Sequence, residues 1–238
     1  FVSPQGSGEL IRMDLDGRVT EDTLQLPGRD TYTRRFERDM DGRLAEGWDA
    51  GGNRGLKGAH HKGQALVHDG DAEVRADTRG RLLERGRDAS WRRCRWDDFD
   101  RLTEVEVADG TVLTYRYDAF HRLIERVEDP VSGPVTTTRF IWSGDRMAAV
   151  LSPGRRHTLL AVEADAAQPW AVWDGARLHT LLQDARGAVI AAVDSRGKVT
   201  FGAELDAFGD GEVVIDELDC GLRLMGAWAD PKTGLLFN

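Results

Sequence analysis

One short corner, Asp-x-x-Gly, constrains this chain more than any other feature. It stands at Asp14–Gly17, Asp39–Gly42, Asp49–Gly52, Asp77–Gly80, Asp184–Gly187, Asp194–Gly197 and Asp206–Gly209. Two variants, Asp97–Asp100 and Asp118–His121, bring the copies to nine. An aspartate in first position accepts a hydrogen bond from the backbone N–H two residues on, which starts a turn. Glycine in fourth position takes a left-handed conformation without Cβ strain. Asp and His are among the non-glycine residues most often found there, so Asp100 and His121 fit the same corner.

The segments between corners have the period of β-structure. In residues 91–127 the runs Arg101–Val107, Val112–Tyr117 and Arg122–Val127 alternate, with Trp91–Trp96 ahead of them. Leu113, Tyr115 and Tyr117 are expected on one face, and Val112, Thr114 and Arg116 on the other. Ala108-Asp-Gly110 reads as a tight hairpin turn, so the stretch predicts a four-stranded antiparallel meander. Asp77, Asp97 and Asp118 are 20 and 21 residues apart, while Asp184, Asp194 and Asp206 are 10 and 12 apart. The short gap is one strand and a turn; the long gap is two strands with a hairpin between. Leu178–Gln183, Ala188–Val193, Lys198–Leu205 and Glu212–Ile215 predict a second meander. No stretch sustains a 3.6-residue period. The chain reads as all-β, with about eighteen strands of about five residues each.

A length of 238 residues permits a sizeable core, as one domain or two. A net charge of −9 argues against a nucleic-acid clamp, whose affinity rests on Lys and Arg facing phosphate. Cys94 and Cys220 form neither a disulfide framework nor a metal-ligand pair. No apolar run approaches a membrane span. The chain starts at Phe1 rather than Met, which reads as a piece of something larger.

Chemistry-bearing residues are few once the corners are set aside. His60, His61 and His68 match no zinc spacing and read as solvated loop histidines. The glycine-rich residues 51–58 lack Gly-Lys-Ser/Thr and read as a connection, not a phosphate loop. Ser195 sits in a turn, not a nucleophile elbow. His157 and His179 offer bases that nothing in the sequence orients. Asp230-Pro231 reads as a turn. Arg92, Arg93 and Arg95 alternate with Trp91, Cys94 and Trp96 and read as a solvated face balancing Asp97, Asp98 and Asp100. Tyr115, Tyr117, Trp142 and Trp170 read as sheet packing, with a carbohydrate platform as the lesser alternative. No catalytic residue, cofactor or metal is expected.

Several segments resemble the Rhs/YD-repeat family. Tyr115-Arg-Tyr-Asp118-Ala-Phe-His-Arg-Leu123 is similar to its unit Tyr-x-Tyr-Asp-x-x-Gly-Arg-Leu, and Trp48–Arg54 to the variant ending Gly-Asn-Arg. Thr138–Arg146 resembles the strand that closes the regular repeats, and Leu182–Gly209 the block after it. Leu222–Gly226 and Asp230–Asn238 resemble segments near the end of an Rhs core. Trp96, Ala76 and Leu205 stand before Asp where the family has Tyr.

The resemblance implies a sheet wound into a hollow shell (a cocoon), as in Tc toxin C subunits, with residues 1–238 as its C-terminal portion. The family's cleavage aspartates and toxin domain would lie beyond Asn238, so no enzymatic role is expected of this chain. Implied partners are the rest of the shell, an enclosed C-terminal toxin and a secretion spike or adaptor, without nucleic acid or a membrane span. The implied setting is bacterial: cytoplasmic before export, then delivered to a target cell, often by type VI secretion. Two rival readings are a YD-repeat cell-surface module that binds glycans or proteins, and a β-rich hydrolase using paired carboxylates.

Overall fold

A computed structural model describes residues 8–13, 18–38, 44–48, 60–62, 65–69, 72–86, 92–160, 168–184, 187–205, 211–219, 221–223 and 226–237. Their regular elements are strands throughout, and no helix occurs among the described residues. The fold is all-β and its strand pairs are antiparallel. Two compact units form: Phe1–Gly55 with His157–Ala229 (unit 1), and Leu56–Arg156 with Asp230–Asn238 (unit 2).

Unit 2 is a meander in sequence order: β5 (His60–Lys62), β6 (Ala65–Asp69), β7 (Ala72–Ala76), β8 (Leu82–Gly86), β9 (Arg92–Trp96), β10 (Leu102–Glu106), β11 (Val112–Tyr117), β12 (Leu123–Asp129), β13 (Thr136–Ser143) and β14 (Arg146–Ser152). The expected four-stranded meander is β9 to β12. Alternation sorts its side chains as period two requires: Cys94, Val105, Leu113 and Tyr115 are buried, while Arg93, Arg95 and Arg116 are exposed. Tyr117 is half-buried where Leu113 and Tyr115 are fully buried, and the register shifts between Arg116 and Tyr117, a bulge beside the Asp118 corner.

In unit 1, β1 (Gly8–Met13), β2 (Val19–Gln25), β3 (Tyr32–Arg38) and β4 (Leu44–Trp48) make a four-stranded sheet in sequence order. β15 (Arg155–Leu160, in this unit from His157), β16 (Ala171–Trp173), β17 (Leu178–Gln183), β18 (Val189–Asp194), β19 (Val199–Leu205) and β20 (Gly211–Asp216) form the second meander. β18 and β19 are buried on both faces, which is why they read as near-continuous apolar runs instead of alternating. Leu26 comes so close to Gly202 that a Cβ there would lie 3.0 Å from Leu26 Cδ1. A glycine in mid-strand thus marks the close approach of the β2–β3 loop to β19. β21 (Trp228–Ala229) belongs to unit 1 and β22 (Leu236–Phe237) to unit 2.

Among the described residues the strands number twenty-two, against the eighteen or so expected. β5, β16, β21 and β22, of two or three residues each, are too short to show a period.

Candidate functional site

In unit 2, three corners are built alike. At Asp97 the N–H groups of Phe99 and Arg101 donate to Oδ1 (2.9 and 3.0 Å), and Asp100 N–H donates to the Asp97 carbonyl (3.2 Å). Asp118 takes the same bonds from Phe120 and Arg122, and Asp77 from Arg79 and Arg81. Each first-position N–H donates to the carbonyl of the fifth residue, closing a three-residue hairpin loop with its bulge. Gly80, Asp100 and His121 have φ of 80°, 60° and 64°.

The residue after each corner ties it to the next. Arg101 Nε donates to Asp97 Oδ2 (2.7 Å), while its Nη1 donates to the carbonyl of Asp118 (3.3 Å). Arg81 binds Asp77 and reaches the carbonyl of Asp97 in the same way. Arg122 binds Asp118 and reaches the carbonyl of Gly144. Desolvation works against charged Asp77, Asp97 and Asp118, but the bonds from backbone and arginine outweigh it and hold all three below the usual carboxylate range.

The aromatic residue ahead of a corner completes the ladder. Tyr117 Oη donates to the carbonyl of Leu102 (2.8 Å), Trp96 Nε1 to that of Leu82 (2.6 Å) and Trp142 Nε1 to that of Leu123 (2.6 Å). Trp96 therefore serves where a tyrosine is usual, because indole N–H and phenol O–H both donate. Guanidinium groups lie over these rings, Arg101 at 5.4 Å from Tyr117 and Arg122 at 5.9 Å from Trp142. Arg-Leu after each corner was visible in the sequence without a role. Its fixed offset from Asp, repeated at 20-residue spacing, was the signal.

Unit 1 holds corners at Asp184 and Asp194. Gly187 N–H donates to the Asp184 carbonyl and Gly197 N–H to that of Asp194 (2.9 Å each). Asp184 Oδ2 also meets Arg34, which the sequence did not single out. The Arg34 side chain is 2% exposed. Its Nε donates to Asp22 Oδ1 (2.6 Å), Nη2 to Asp22 Oδ2 (2.5 Å) and Asp184 Oδ2 (3.1 Å), and Nη1 to the Leu205 carbonyl (2.9 Å). One guanidinium thereby joins β2 and β3 to the corner after β17 and the end of β19. Asp14, Gly17, Asp39, Gly42, Asp49, Gly52, Asp206 and Gly209 lie outside the described residues, as do residues 51–58 and the side chains of His60, His61 and His68.

His179 is oriented, contrary to the sequence reading. Its Nε2 meets Asp174 Oδ2 (3.0 Å) and its Nδ1 meets Thr200 Oγ1 (2.8 Å). Asp174 follows β16 and Thr200 lies on β19, so only the folded sheet brings the three together. The order Asp–His–hydroxyl resembles a nucleophile relay. Here Thr200 is buried at 3% exposure and bonds the Ala192 carbonyl (3.4 Å), which leaves no approach for a substrate.

Asp230 is a turn, as read, but its carboxylate is fully buried in unit 2. Oδ2 accepts from Tyr115 Oη (2.9 Å) and Arg126 Nε (2.7 Å), and Oδ1 from the N–H groups of Lys232 (2.8 Å) and Thr233 (3.2 Å). Phe237 stacks on Tyr115 with centroids 4.8 Å apart, and Lys232 pairs with Asp109 (3.0 Å). Residues 230–237 thus form a strap over β11 and β12. Desolvation raises the Tyr115 phenol, and the Asp230 charge adds to it.

The arginines of β9 find partners other than those expected. Arg93 pairs with Glu84 and Glu106, and Arg95 with Glu104, all directly across neighbouring strands. Arg75–Glu84 and Arg116–Glu125–Arg139 continue the pattern. Asp97, like Asp77 and Asp118, is occupied by the arginine of its own corner. Among the described residues no three His, Cys, Asp or Glu side chains are grouped to hold a metal, and no helix is long and apolar enough to cross a membrane.

Comparison with known proteins agrees with the corner ladder. Residues 96–133 match the RHS Repeat family model. Double-stranded DNA deaminase toxin A of Burkholderia cenocepacia (strain H111) is 28% identical over 98% of this chain, which spans 20% of that protein. Probable deoxyribonuclease RhsB of Dickeya dadantii (strain 3937) is 30% identical over 60% of the chain and 10% of its own length. Among solved structures, the TcdB2-TccC3-Cdc42 crystal structure matches 98% of the chain and 18% of its own, at 10% identity and a TM-score of 0.45. Residues 96–133 are thus an RHS repeat, in a chain similar to one part of much longer bacterial toxin and Rhs proteins.

Proposed function

We propose that the chain is a segment of the encapsulating shell of an Rhs-family toxin, and that it holds a C-terminal toxin until delivery. On this reading residues 1–238 are the C-terminal portion of the shell. The nine Asp-x-x-Gly corners, from Asp14–Gly17 to Asp206–Gly209, are its structural turns. The rest of the shell and the enclosed toxin are its partners, and a secretion spike or adaptor carries the whole out of a bacterial cell, by type VI secretion, to a competitor. The segment itself performs no catalysis.

The corner ladder carries this reading. Its carboxylates are bound by backbone N–H groups and by arginine, so they are committed to holding strands together and not to moving protons. Each arginine hands the structure on to the next corner, which lets a sheet extend without a separate core for every hairpin. Limited proteolysis of the intact protein tests the proposal. Polypeptide following residue 238 is expected to survive protease while the shell is folded and to be digested at once when expressed alone. Equal digestion in the two settings refutes enclosure.

A further inference from the structure

In unit 1 one buried histidine stands between two carboxylates, and its hydrogen bonds fix where its protons lie. We propose that His179 is a proton-operated catch: with a proton on both ring nitrogens it fastens the 174–177 turn to β19, and loss of one proton slackens that fastening. The catch lies within unit 1 and does not depend on the shell reading.

The His179 ring is buried, and its Nε2 lies 3.0 Å from Asp174 Oδ2. Desolvation opposes ionisation of Asp174, but the N–H groups of Arg177 and Ala176 on its Oδ1 (2.7 Å each) help to outweigh it. A carboxylate only accepts, so Nε2 carries a proton. Nδ1 lies 2.8 Å from Thr200 Oγ1, which donates its single proton to the Ala192 carbonyl (3.4 Å). The hydroxyl therefore accepts from Nδ1, which carries a proton as well. A ring with both protons is a cation.

The surroundings favour that charge. His179 stands across from Asp194 in the β17–β18 register. The N–H groups of Lys198 and Arg196 on Oδ1 hold Asp194 below the usual carboxylate range against desolvation. Its Oδ2 is buried and takes no hydrogen bond, with Arg177 Nη1 at 3.5 Å. In the corners of unit 2 the matching oxygen is held by the arginine in fifth position, and at Asp184 by Arg34. At Asp194 the fifth residue is Lys198, which pairs instead with Glu217 where both are about half exposed. Arg196 completes the charged groups of the neighbouring β18–β19 corner. Two ionised carboxylates thus face one solvent-screened guanidinium, and a doubly protonated ring makes up the missing positive charge.

When the proton on Nδ1 leaves to solvent, Thr200 must swing its hydroxyl from the Ala192 carbonyl to Nδ1. The donor to Asp174 is then neutral, and Asp194 loses the cation across from it. Both changes weaken the hold on the turn. Stabilisation by a bound cation is complete in acid and is lost as the ring gives up its proton with rising pH. The second meander is therefore firmer in acid than in alkali.

Two measurements on the intact protein test the catch. In nitrogen NMR with isotope-labelled histidine, the ring missing from the spectrum of His179→Gln is that of His179. Its two nitrogens are expected at nearly equal shift at about pH 6, as in an imidazolium, and far apart at about pH 9. Urea unfolding then compares wild type with His179→Gln, so that titration elsewhere cancels. The wild-type advantage in midpoint is expected to fall by about 0.4 M between those two pH values. Should His179→Gln fail to fold, Asp174→Asn takes its place: the ring whose signals move most is His179, and the same fall is expected. A neutral ring at about pH 6 overturns the placement of the protons. An advantage that stays the same at both pH values overturns the catch.

Discussion

Replacing Arg34 with methionine tests how far unit 1 depends on one buried ion cluster. The guanidinium makes three bonds to carboxylate oxygens and one to a backbone carbonyl, all at 3.1 Å or less. Bonds to charged groups contribute about 1.5–3 kcal/mol each. They cannot be summed, because burying three ions costs several kcal/mol apiece and the bonds share that cost. The relevant figure is the loss on removing one partner of a buried pair, about 3–5 kcal/mol. Methionine keeps the aliphatic volume and leaves Asp22 and Asp184 buried without the cation between them, so the upper half of that range is expected. At an m-value of about 2–3 kcal/mol/M, the urea midpoint should fall by about 1.5 M. Removing Asp22 as well, in Arg34→Met/Asp22→Leu, takes away one stranded anion and should recover at least about 1.5 kcal/mol over the single variant. Urea unfolding followed by circular dichroism measures both. A single variant within about 1 kcal/mol of wild type refutes the argument, as does a double variant that merely adds the two losses.

Other perturbations should separate the parts of the structure. Tyr115→Phe removes one of the donors to the buried Asp230 carboxylate, and differential scanning calorimetry should register a loss of about 1.5–2 kcal/mol. Gly80→Ala meets open space and should cost only the left-handed conformation, about 1–2 kcal/mol. Gly221→Ala, at a similar φ, places a Cβ 2.5 Å from Nε1 of the buried Trp228 ring, which cannot swing away, and should cost measurably more in the same assay. Burial pushes the Tyr117 phenol up to about 12, with Asp97 adding to it and Arg101 opposing, and burial raises Tyr115 as well. Their stabilisation is complete below the ordinary tyrosine pKa of about 10 and is lost as pH rises through the folded value. An absorbance titration at alkaline pH should show delayed ionisation of these two and a parallel fall in unfolding temperature. Desolvation works to raise Asp174, but the N–H groups of Arg177 and Ala176 with the His179 ring outweigh it and hold it at about 2. Its contribution, present above the ordinary carboxylate value, should disappear as pH falls towards 2, and Asp174→Asn should flatten that part of the stability profile.

What the sequence disclosed and what it withheld follow from range. The turn chemistry of Asp97, Asp118 and Asp77 is local: the donors to each carboxylate lie two and four residues away, so spacing alone announces them. Alternation in β9 to β12 is local too, and it sorted buried from exposed residues without knowledge of any neighbour. Arg34 and Asp184 are 150 residues apart, and Tyr115 and Asp230 are 115 apart. No period links such pairs, and an arginine in an alternating strand reads as solvent-facing until the sheet that covers it is known. The same holds for His179, whose partners come from a turn and from a strand two places along the sheet. Arg101 falls between the two cases. Its bond to Asp97 is local, its bond to Asp118 spans a hairpin, and the repeat places both by fixing the hairpin length at 20 or 21 residues. Repetition thus turns a contact between distant residues into one that a single chain can spell out. The parts of this protein that escaped the sequence are those made once: a guanidinium between two sheets, and a strap closed by one buried carboxylate.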